Sequence, residues 1–231
     1  MGTGLVHRWG AMDTEITDRH RRADARRNRE RVLVAASEML AESGLKAPME
    51  EIARRAGVGV GTVCRNFPTK KDMVDAVLAD LYETLLQDAL DGLANPDAGE
   101  AFETFVVVLS AFQTRHRALA EQMANDMETP TAPPEARERL WAAISQLVAR
   151  AQEVGTVRAD IGPADVALLL SGVAHATAVA GDLQHGLRDR YLRIVLDGLR
   201  PDAASPLPGE PLDFPQLQEL KQRATTRPPS R

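Results

Sequence analysis

The sequence is poor in cysteine and in aromatic residues. Cys64 is the one cysteine, so the chain can form no internal disulfide and lacks the cysteine ligands of a zinc-binding motif. Aromatic residues make up only 4% of the chain, whereas alanine and leucine are abundant, and such residues lose little side-chain freedom in a helix. These features predict an all-α protein in a reducing, cytoplasmic environment, without a bound metal or cofactor.

The sequence also lacks the marks of export, of membrane insertion and of the common catalytic motifs. Its first residues do not have the basic and then apolar layout of a signal peptide. The most apolar span, 166–180, contains His175 and is interpreted as too short to cross a bilayer. Neither H-E-x-x-H nor G-x-S-x-G occurs, and there is no glycine-rich phosphate loop. We therefore expect no catalytic residues and no membrane partner.

Charge is distributed unevenly along the 231 residues, whose net charge is −5. Residues 1–75 have a net charge of +3, and residues 76–231 have a net charge of −8. The basic part includes seven arginines between Arg19 and Arg31, and a basic arm gains affinity for DNA by releasing counterions from the duplex. The alternative is a solvated charged segment that leads into a helix. We expect a flexible basic leader over residues 1–24.

Two short helices separated by a glycine turn are predicted between Met49 and Phe67. The apolar residues of MEEIARRA recur at i, i+3, i+4 and i+7, which is the stripe of a short amphipathic helix. Gly57 follows, and glycine is the usual left-handed residue at the end of a helix. In VGTVCRNF, Val63 and Phe67 lie four residues apart and predict a second helix with a narrow buried seam. This arrangement is typical of a DNA-binding helix-turn-helix.

The run AGVGVGTVCRNFPTK resembles the helix-turn-helix of TetR-type transcriptional repressors, and the resemblance covers about Arg26 to Leu81. With the helical periodicity of the chain, it implies a three-helix DNA-binding domain over residues 25–72. A long helix would join this domain to a larger helical domain over 73–200, which binds an effector and dimerises. The proline-rich segment 201–231 is interpreted as a flexible tail.

Residues of the second short helix are the candidates for DNA contact. Arg65 can donate two parallel hydrogen bonds to guanine O6 and N7, so we expect it to contact a base. Asn66 can pair with adenine or a phosphate, or can instead cap the end of its helix. Thr62 can reach a phosphate or a thymine methyl group. The resemblance implies base- or phosphate-contacting positions at Val60, Gly61, Thr62, Cys64 and Arg65, and a phosphate-contacting lysine at Lys70.

The sequence departs from the TetR pattern at two positions. Cys64 stands where these proteins usually have a tyrosine whose hydroxyl meets a phosphate, and a cysteine thiol is a weak donor. This contact is therefore either lost or supplied by another group such as Arg65 or Lys71. Ala47–Pro48 stands where relatives often have a hydroxyl residue that caps the helix and touches phosphate. A redox-sensing thiol at Cys64 is a further hypothesis, without a resolving cysteine to support it.

The larger domain is expected to dimerise and to bind a small molecule. Helices near residues 165–181 and 186–199 can either pair with a second copy or close the core of one chain, and the resemblance favours the homodimer. The resemblance also implies a repressor that leaves a palindromic operator when an effector binds. The alternative function is a helical small-molecule-binding or catalytic protein with a vestigial helix-turn-helix. The candidate effector-lining residues, which can equally be plain core, are Phe105, Phe112, Met123, Met127, Trp141 and Leu169.

Overall fold

The computed structural model describes residues 4–120, 134–180, 186–202, 205–217 and 219–220, with side chains from Asp24 onward. Regular secondary structure in these residues is helical throughout, which confirms the predicted all-α class. The chain divides into two compact units, Met1–Val77 and Leu78–Arg231. The division lies five residues beyond the predicted boundary between residues 72 and 73.

The first unit is a helix-turn-helix domain. It contains α1 (Gly4–Ser43), a short 3₁₀ turn, α2 (Met49–Ala56) and α3 (Val60–Asn66), and α4 (Lys70–Ala94) begins in it and continues into the second unit. Helix α1 packs against α2 and α3, and α2 packs against α3. As the apolar periodicity predicts, the interior of the unit includes Val32, Ala36, Met39, Leu40, Ile52, Ala53, Val63 and Phe67.

Helix α1 begins much earlier than the sequence predicts. It starts at Gly4, so the backbone of residues 4–24 is helical where we expected a flexible leader, and that expectation is wrong for the secondary structure. No proline interrupts the chain before Pro48. A helix that has formed extends at little cost, because each added residue gains one hydrogen bond, and this extension does not require an apolar face.

The second unit is a bundle arranged around one central helix. Besides the rest of α4 it contains α5 (Ala98–Arg115), α6 (Pro134–Glu153), α7 (Pro163–Ala180) and α8 (Leu187–Gly198). The last two lie close to the predicted ranges 165–181 and 186–199. Helix α5 packs against α6, α7 and α8 and is followed by His116 at its C-terminal cap. The core that these helices share includes Phe102, Phe105, Val106, Leu109, Leu140, Leu147, Val148, Val166, Leu170, Leu192 and Leu196.

The buried stripe of α4 ends sooner than expected. The apolar residues along this helix predict a buried stripe of Met73, Val77, Leu81, Leu85 and Leu90. The first four are buried, but Leu90 is exposed. The first four residues are spaced four apart, whereas the step from Leu85 to Leu90 is five residues. Because each residue of an α-helix turns the side chain by about 100°, the five-residue step directs Leu90 roughly 140° away from Leu85.

Helix α7 is apolar along most of its length. It has eighteen residues and is long and apolar enough, by length and composition alone, to cross a membrane, and 28% of it is buried in the protein. The interpretation that this span is too short to do so is therefore wrong, because the helix extends back to Pro163. Core helices of soluble proteins pass the same test, so the observation does not assign a membrane location.

A segment near the C-terminus, residues 205–217, packs onto the second unit, and we call it the C-terminal strap. Arg158 is buried and forms a two-point ion pair with Asp160, with Nε–Oδ1 and Nη2–Oδ2 distances of 2.6 and 2.8 Å. Its Nη2 also donates to the carbonyl of Ser205, and the amide of Leu207 donates to Asp160 Oδ2 at 3.1 Å. The hydrogen bonds from Arg158 hold the pKa of Asp160 well below its usual range.

Apolar contacts hold the remainder of the C-terminal strap. The ring of Phe214 stacks on Trp141 of α6 with 4.8 Å between centroids, and Leu217 is buried. The prediction of a flexible tail over 201–231 is therefore wrong for the strap. This proline-rich segment contains two apolar contacts with the bundle, the half-buried ring of Phe214 and the buried side chain of Leu217.

Candidate nucleic-acid interface

The turn between α2 and α3 is built around a glycine. Gly57 has φ +64°, the left-handed conformation that the sequence predicts. Its amide donates to the carbonyl of Arg54 at 3.1 Å, and the amide of Val58 donates to the carbonyl of Ala53 at 3.0 Å. This pair of hydrogen bonds is the Schellman arrangement, which ends α2 and directs the chain into α3.

Two residues fix α3 to the domain. The side chain of Val63 is fully buried and that of Phe67 is 1% exposed, so the predicted buried seam is confirmed. At the start of the helix, the amides of Thr62 and Val63 donate to the carbonyl of Gly59 at 2.8 and 3.3 Å. Within the described residues, no side chain caps this end of α3. The position of the helix therefore depends on its buried seam and on the turn before it.

The opposite face of α3 is open to solvent. Val60, Gly61, Cys64 and Arg65 are exposed, as predicted for a face that meets DNA, while Thr62 is half-buried. The guanidinium of Arg65 lies back along the helix, donating from Nε to the carbonyl of Gly61 at 3.0 Å and from Nη2 to Thr62 Oγ1 at 3.4 Å. These exposed interactions cost little to exchange for base contacts. The assignment of DNA contacts to this face stays a prediction.

Two other predicted DNA-contacting side chains are engaged within the protein. Asn66 Nδ2 donates to the carbonyl of Thr62 at 2.8 Å, which is the alternative role at the helix end. Lys70 Nζ donates to the carbonyl of Ala47 at 2.5 Å, at the loop that enters α2. No side chain of the described residues caps the start of α2, and Lys70, which can only donate, binds a carbonyl of the preceding loop and does not replace a capping acceptor. Either side chain must leave its present partner to reach DNA.

Helix α4 begins with a well-formed cap directly after α3. Thr69 and Asp72 bind each other reciprocally: the amide of Asp72 donates to Thr69 Oγ1 at 3.1 Å, and the amide of Thr69 donates to Asp72 Oδ2 at 2.8 Å. The hydrogen bond from the Thr69 hydroxyl lowers the pKa of Asp72. Lys71, which we considered as a substitute phosphate contact, pairs with Asp75 at 2.6 Å. Thr69 and Asp72 thus form a capping box at the start of α4.

Two arginines of the basic run contact the helix-turn-helix itself. Arg31 Nη2 donates to the carbonyl of Ala56 and, at 3.0 Å, to the carbonyl of Gly57. The guanidinium carbon of Arg29 lies 4.6 Å from the centre of the Phe67 ring. Sequence reasoning missed both contacts, because they join residues more than twenty positions apart and no periodicity indicates them.

The candidate effector-lining residues do not form one group among the described residues. Phe105 is buried in the core, and Phe112, next to it on α5, is half-buried. Trp141 packs on Phe214 of the C-terminal strap, and Leu169 is 45% exposed on α7. Met123 and Met127 lie outside the described residues.

The C-terminal part of α5 carries polar atoms that sequence reasoning did not select as a site. Ser110 Oγ, Gln113 Oε1 and His116 Nδ1 are buried, and none of them has a hydrogen-bond partner in the described part of the chain. Burial, with a smaller contribution from the charge of Arg115, lowers the pKa of His116, whose ring packs on Phe112. Ser110 and Gln113 lie three residues apart on α5, and His116 directly follows its last residue, so a polar residue at every third position is the signal that could have identified them.

The sequence of each unit matches a family profile. Residues 32–77 match the bacterial regulatory proteins of the TetR family. Residues 97–201 match the C-terminal domain of SbtR-like transcriptional regulators, which is also a TetR-type domain. The two matches cover the helix-turn-helix and most of the helical bundle, respectively.

Two solved structures are similar to the chain over most of its length, and one sequence relative matches just under half of it. A TetR transcription regulatory protein from Mycobacterium vanbaalenii is 38% identical, with a TM-score of 0.59 over 78% of this chain and 98% of that one. The TetR transcriptional regulator SCO0520 from Streptomyces coelicolor is 31% identical, with a TM-score of 0.60 over 76% and 99%. The HTH-type transcriptional regulator TtgW from Pseudomonas putida is 31% identical over 103 residues, 44% of this chain and 73% of that protein.

Proposed function

Because the chain belongs to the TetR family of transcriptional regulators, we propose that it is a cytoplasmic repressor that binds a palindromic operator as a homodimer. A small-molecule effector would release it from the DNA. The observation that supports DNA binding is the exposed face of α3, where the guanidinium of Arg65 contacts Gly61 and Thr62. The opposite side of the helix is attached to the domain by the buried side chains of Val63 and Phe67. Such a helix can enter a major groove without uncovering the core.

The experiment that tests operator binding is selection from a pool of random duplexes by the purified full-length protein. A symmetric dimer reads two half-sites, so the enriched sequence should be a palindrome whose half-site centres lie about 34 Å apart or a multiple of that distance. Enrichment of a single half-site would contradict the dimeric mode. If no sequence is enriched above the starting pool, the protein does not read DNA through α3.

The proposed dimer is supported by apolar side chains of α7 and α8 that are exposed to solvent in the single chain. Val179 on α7 and Tyr191 and Ile194 on α8 are exposed, although the opposite sides of both helices are buried in the bundle. Tyr191 and Ile194 lie three residues apart, on one side of α8. Two copies related by a twofold axis would cover these side chains with the same surface of the partner.

Ile194→Ala should weaken the dimer. Ile194 is 56% exposed in the single chain, and the substitution removes the same apolar contact twice in a symmetric pair. We expect the dimer dissociation constant to rise about tenfold, measured by sedimentation over a range of concentrations. Val154→Ala is the matched control, because Val154 is a 60% exposed aliphatic residue beyond the end of α6. Equal effects of the two substitutions would contradict an interface at α8.

The proposed effector site is supported by the polar atoms at the end of α5. A buried polar atom without a partner costs free energy, and within the described residues Ser110 Oγ, Gln113 Oε1 and His116 Nδ1 are three such atoms at the C-terminal end of α5. A molecule that hydrogen-bonds to them while packing on the Phe112 ring would recover that cost. The lowered pKa keeps His116 neutral at pH 7, so these groups favour an uncharged polar ligand over an anion.

Ser110→Ala should stabilise the free protein and abolish the response to the effector. Ser110 is 1% exposed and its hydroxyl has no partner among the described residues, so removing the hydroxyl should raise the free energy of unfolding by about 1 kcal/mol. The measurement is thermal unfolding with and without a compound that releases the wild-type protein from its selected duplex. Ser145→Ala is the control, because that hydroxyl already donates to the Trp141 carbonyl at 2.8 Å. A full effector response in Ser110→Ala would rule out this site.

A further inference from the structure

The basic run of α1 includes one arginine whose guanidinium is committed to the turn of the helix-turn-helix. We propose that Arg31 is a positioning residue for base readout: it fixes the turn from which α3 projects and does not act as a phosphate ligand. The proposal rests on the DNA-binding function proposed above. It concerns the first unit alone and changes the role expected for part of the arginine-rich segment.

Arg31 completes the hydrogen bonding of the turn. The amides of Gly57 and Val58 satisfy carbonyls one turn back in α2, but the carbonyls of Ala56 and Gly57 lie at the end of the helix, beyond the reach of its own amides. Both accept from Nη2 of Arg31, at 3.0 Å for Gly57, while Nη1 faces Asn28 Oδ1 at 3.4 Å. One amino group of α1 therefore joins two carbonyls of the turn before α3, and its positive charge lies at the negative end of the α2 dipole.

The glycine of the turn and Arg31 fit each other. A Cβ atom at Gly57 would lie 2.5 Å from Arg31 Nη2, closer than any real contact, so another residue there would displace the guanidinium. The same glycine has φ +64°, which other residues adopt at a cost. Gly57 thus both makes the turn and leaves the space that Arg31 occupies.

A second arginine of the same run contacts the other end of α3. Arg29 lies over the ring of Phe67, which follows the last residue of α3 and whose amide donates to the carbonyl of Val63 at 2.8 Å. In contrast, the side chains of Arg26 and Arg27 form ion pairs with acidic residues of α1. Among the arginines of the run whose side chains are described, two therefore contact the helix-turn-helix and two pair with acidic residues of α1.

Helix α3 needs support of this kind. It has only seven residues and, within the described part of the chain, no side-chain cap at its start, and so short a helix does not hold its own geometry in water. Hydrogen bonds to base edges require side chains placed within a fraction of an ångström. Because Arg31 fixes two carbonyls at the end of α2, where the turn into α3 begins, its loss should make the positions of the DNA-facing side chains of α3 less well defined.

The test compares Arg31→Met and Arg31→Lys with Arg27→Met, which removes one exposed charge from the same helix. For each variant, the affinity for the duplex selected by the wild-type protein and for a scrambled duplex is measured over a range of salt concentrations. An arginine that binds phosphate adds about 0.9 per contact to the slope of log K against log salt. A positioning arginine adds nothing to this slope.

We expect Arg31→Met to bind the selected duplex roughly tenfold more weakly, with the salt slope and the scrambled-duplex affinity close to those of Arg27→Met. Arg31→Lys should not rescue binding, because lysine is shorter and lacks the planar fork of the guanidinium. Rescue by lysine, or equal losses on both duplexes with a lower slope, would show that Arg31 binds phosphate and would overturn the proposal.

Amide hydrogen exchange in the free protein separates this proposal from the proposed DNA-binding function. The amides of Val58, Thr62 and Val63 close the turn and the first turn of α3, so they should exchange severalfold faster in Arg31→Met than in Arg27→Met. Unchanged exchange at these amides would overturn the positioning role even if a duplex is selected. Faster exchange without any selected duplex would support the role in the fold and refute DNA readout.

Discussion

Replacing Phe67 with alanine should lower the free energy of unfolding of the helix-turn-helix unit by about 3–5 kcal/mol. Phe67 is 1% exposed and forms, with Val63, the seam that attaches α3 to the domain. The substitution leaves a cavity the size of a phenyl ring and removes the face over which Arg29 lies. The measurement is urea unfolding followed by amide exchange of the first unit, so that the two units are observed separately.

Val34→Ala is the control for this prediction. Val34 lies on α1 of the same unit but is 60% exposed, so its truncation should change stability by no more than about 0.5 kcal/mol. DNA binding by Phe67→Ala should fall with the folded fraction of the unit and recover on cooling or in a stabilising osmolyte. Comparable stability losses in the two variants would mean that Phe67 does not form the core of the domain.

Arg65→Ala should cost about 1–3 kcal/mol of operator affinity per half-site and should relax base preference at one position in each half-site. Arg65 is exposed on α3, and its guanidinium reaches Thr62 Oγ1 at 3.4 Å, so only weak interactions hold it away from a base edge. The two parallel hydrogen bonds to guanine are lost with the guanidinium, and alanine cannot replace them. The measurement is repeated duplex selection with the variant, together with titrations of the selected wild-type duplex.

Arg54→Ala is the control for Arg65. Arg54 is exposed near the end of α2 and pairs with Glu51 at 3.5 Å, so the variant removes one charge from the same unit outside α3. Arg54→Ala should weaken binding to all duplexes by the same factor, and this factor should be smaller than the loss that Arg65→Ala causes on the selected duplex. If Arg65→Ala also lowers affinity equally for every sequence, Arg65 contacts phosphate and another residue reads the base.

The helix-turn-helix was the part of the fold that the sequence predicted best, because its determinants are local. A left-handed cap at Gly57 and a seam at Val63 and Phe67 follow from residue type and spacing over a few positions. The reciprocal cap at Thr69 is equally local. The two caps depend on chain neighbours alone, and the four-residue spacing of the seam shows which side of α3 is buried.

Contacts between distant segments could not be predicted in this way. Arg31 donates to the carbonyl of Ala56, which is 25 residues away in the sequence, and Lys70 donates to the carbonyl of Ala47, which is 23 residues away. The sequence alone suggests both cations as candidates for phosphate contact. Charge composition indicates how many cations a segment carries but not which of them find partners inside the fold. Helical extension of α1 to Gly4 was missed for a related reason, since a helix needs no apolar stripe.

The effector residues show a second reason for the limits of prediction. Spacing identifies which side of a helix is apolar but not which neighbour covers it. Leu169 lies on an apolar helix and yet is exposed, and Trp141 lies against the C-terminal strap. Ser110, Gln113 and His116 are polar, so a search for apolar periodicity does not select them. The structure identifies them because their buried polar atoms have no hydrogen-bond partner among the described residues.

The C-terminal strap has a practical consequence for how fragments of this protein are made. The matched family profile ends at residue 201, before Phe214 and Leu217 reach the bundle. A truncated fragment designed to that boundary would expose the ring of Trp141 and take the Ser205 carbonyl away from the buried Arg158. Purification tags and truncations are therefore best placed beyond residue 220, where they leave these contacts intact.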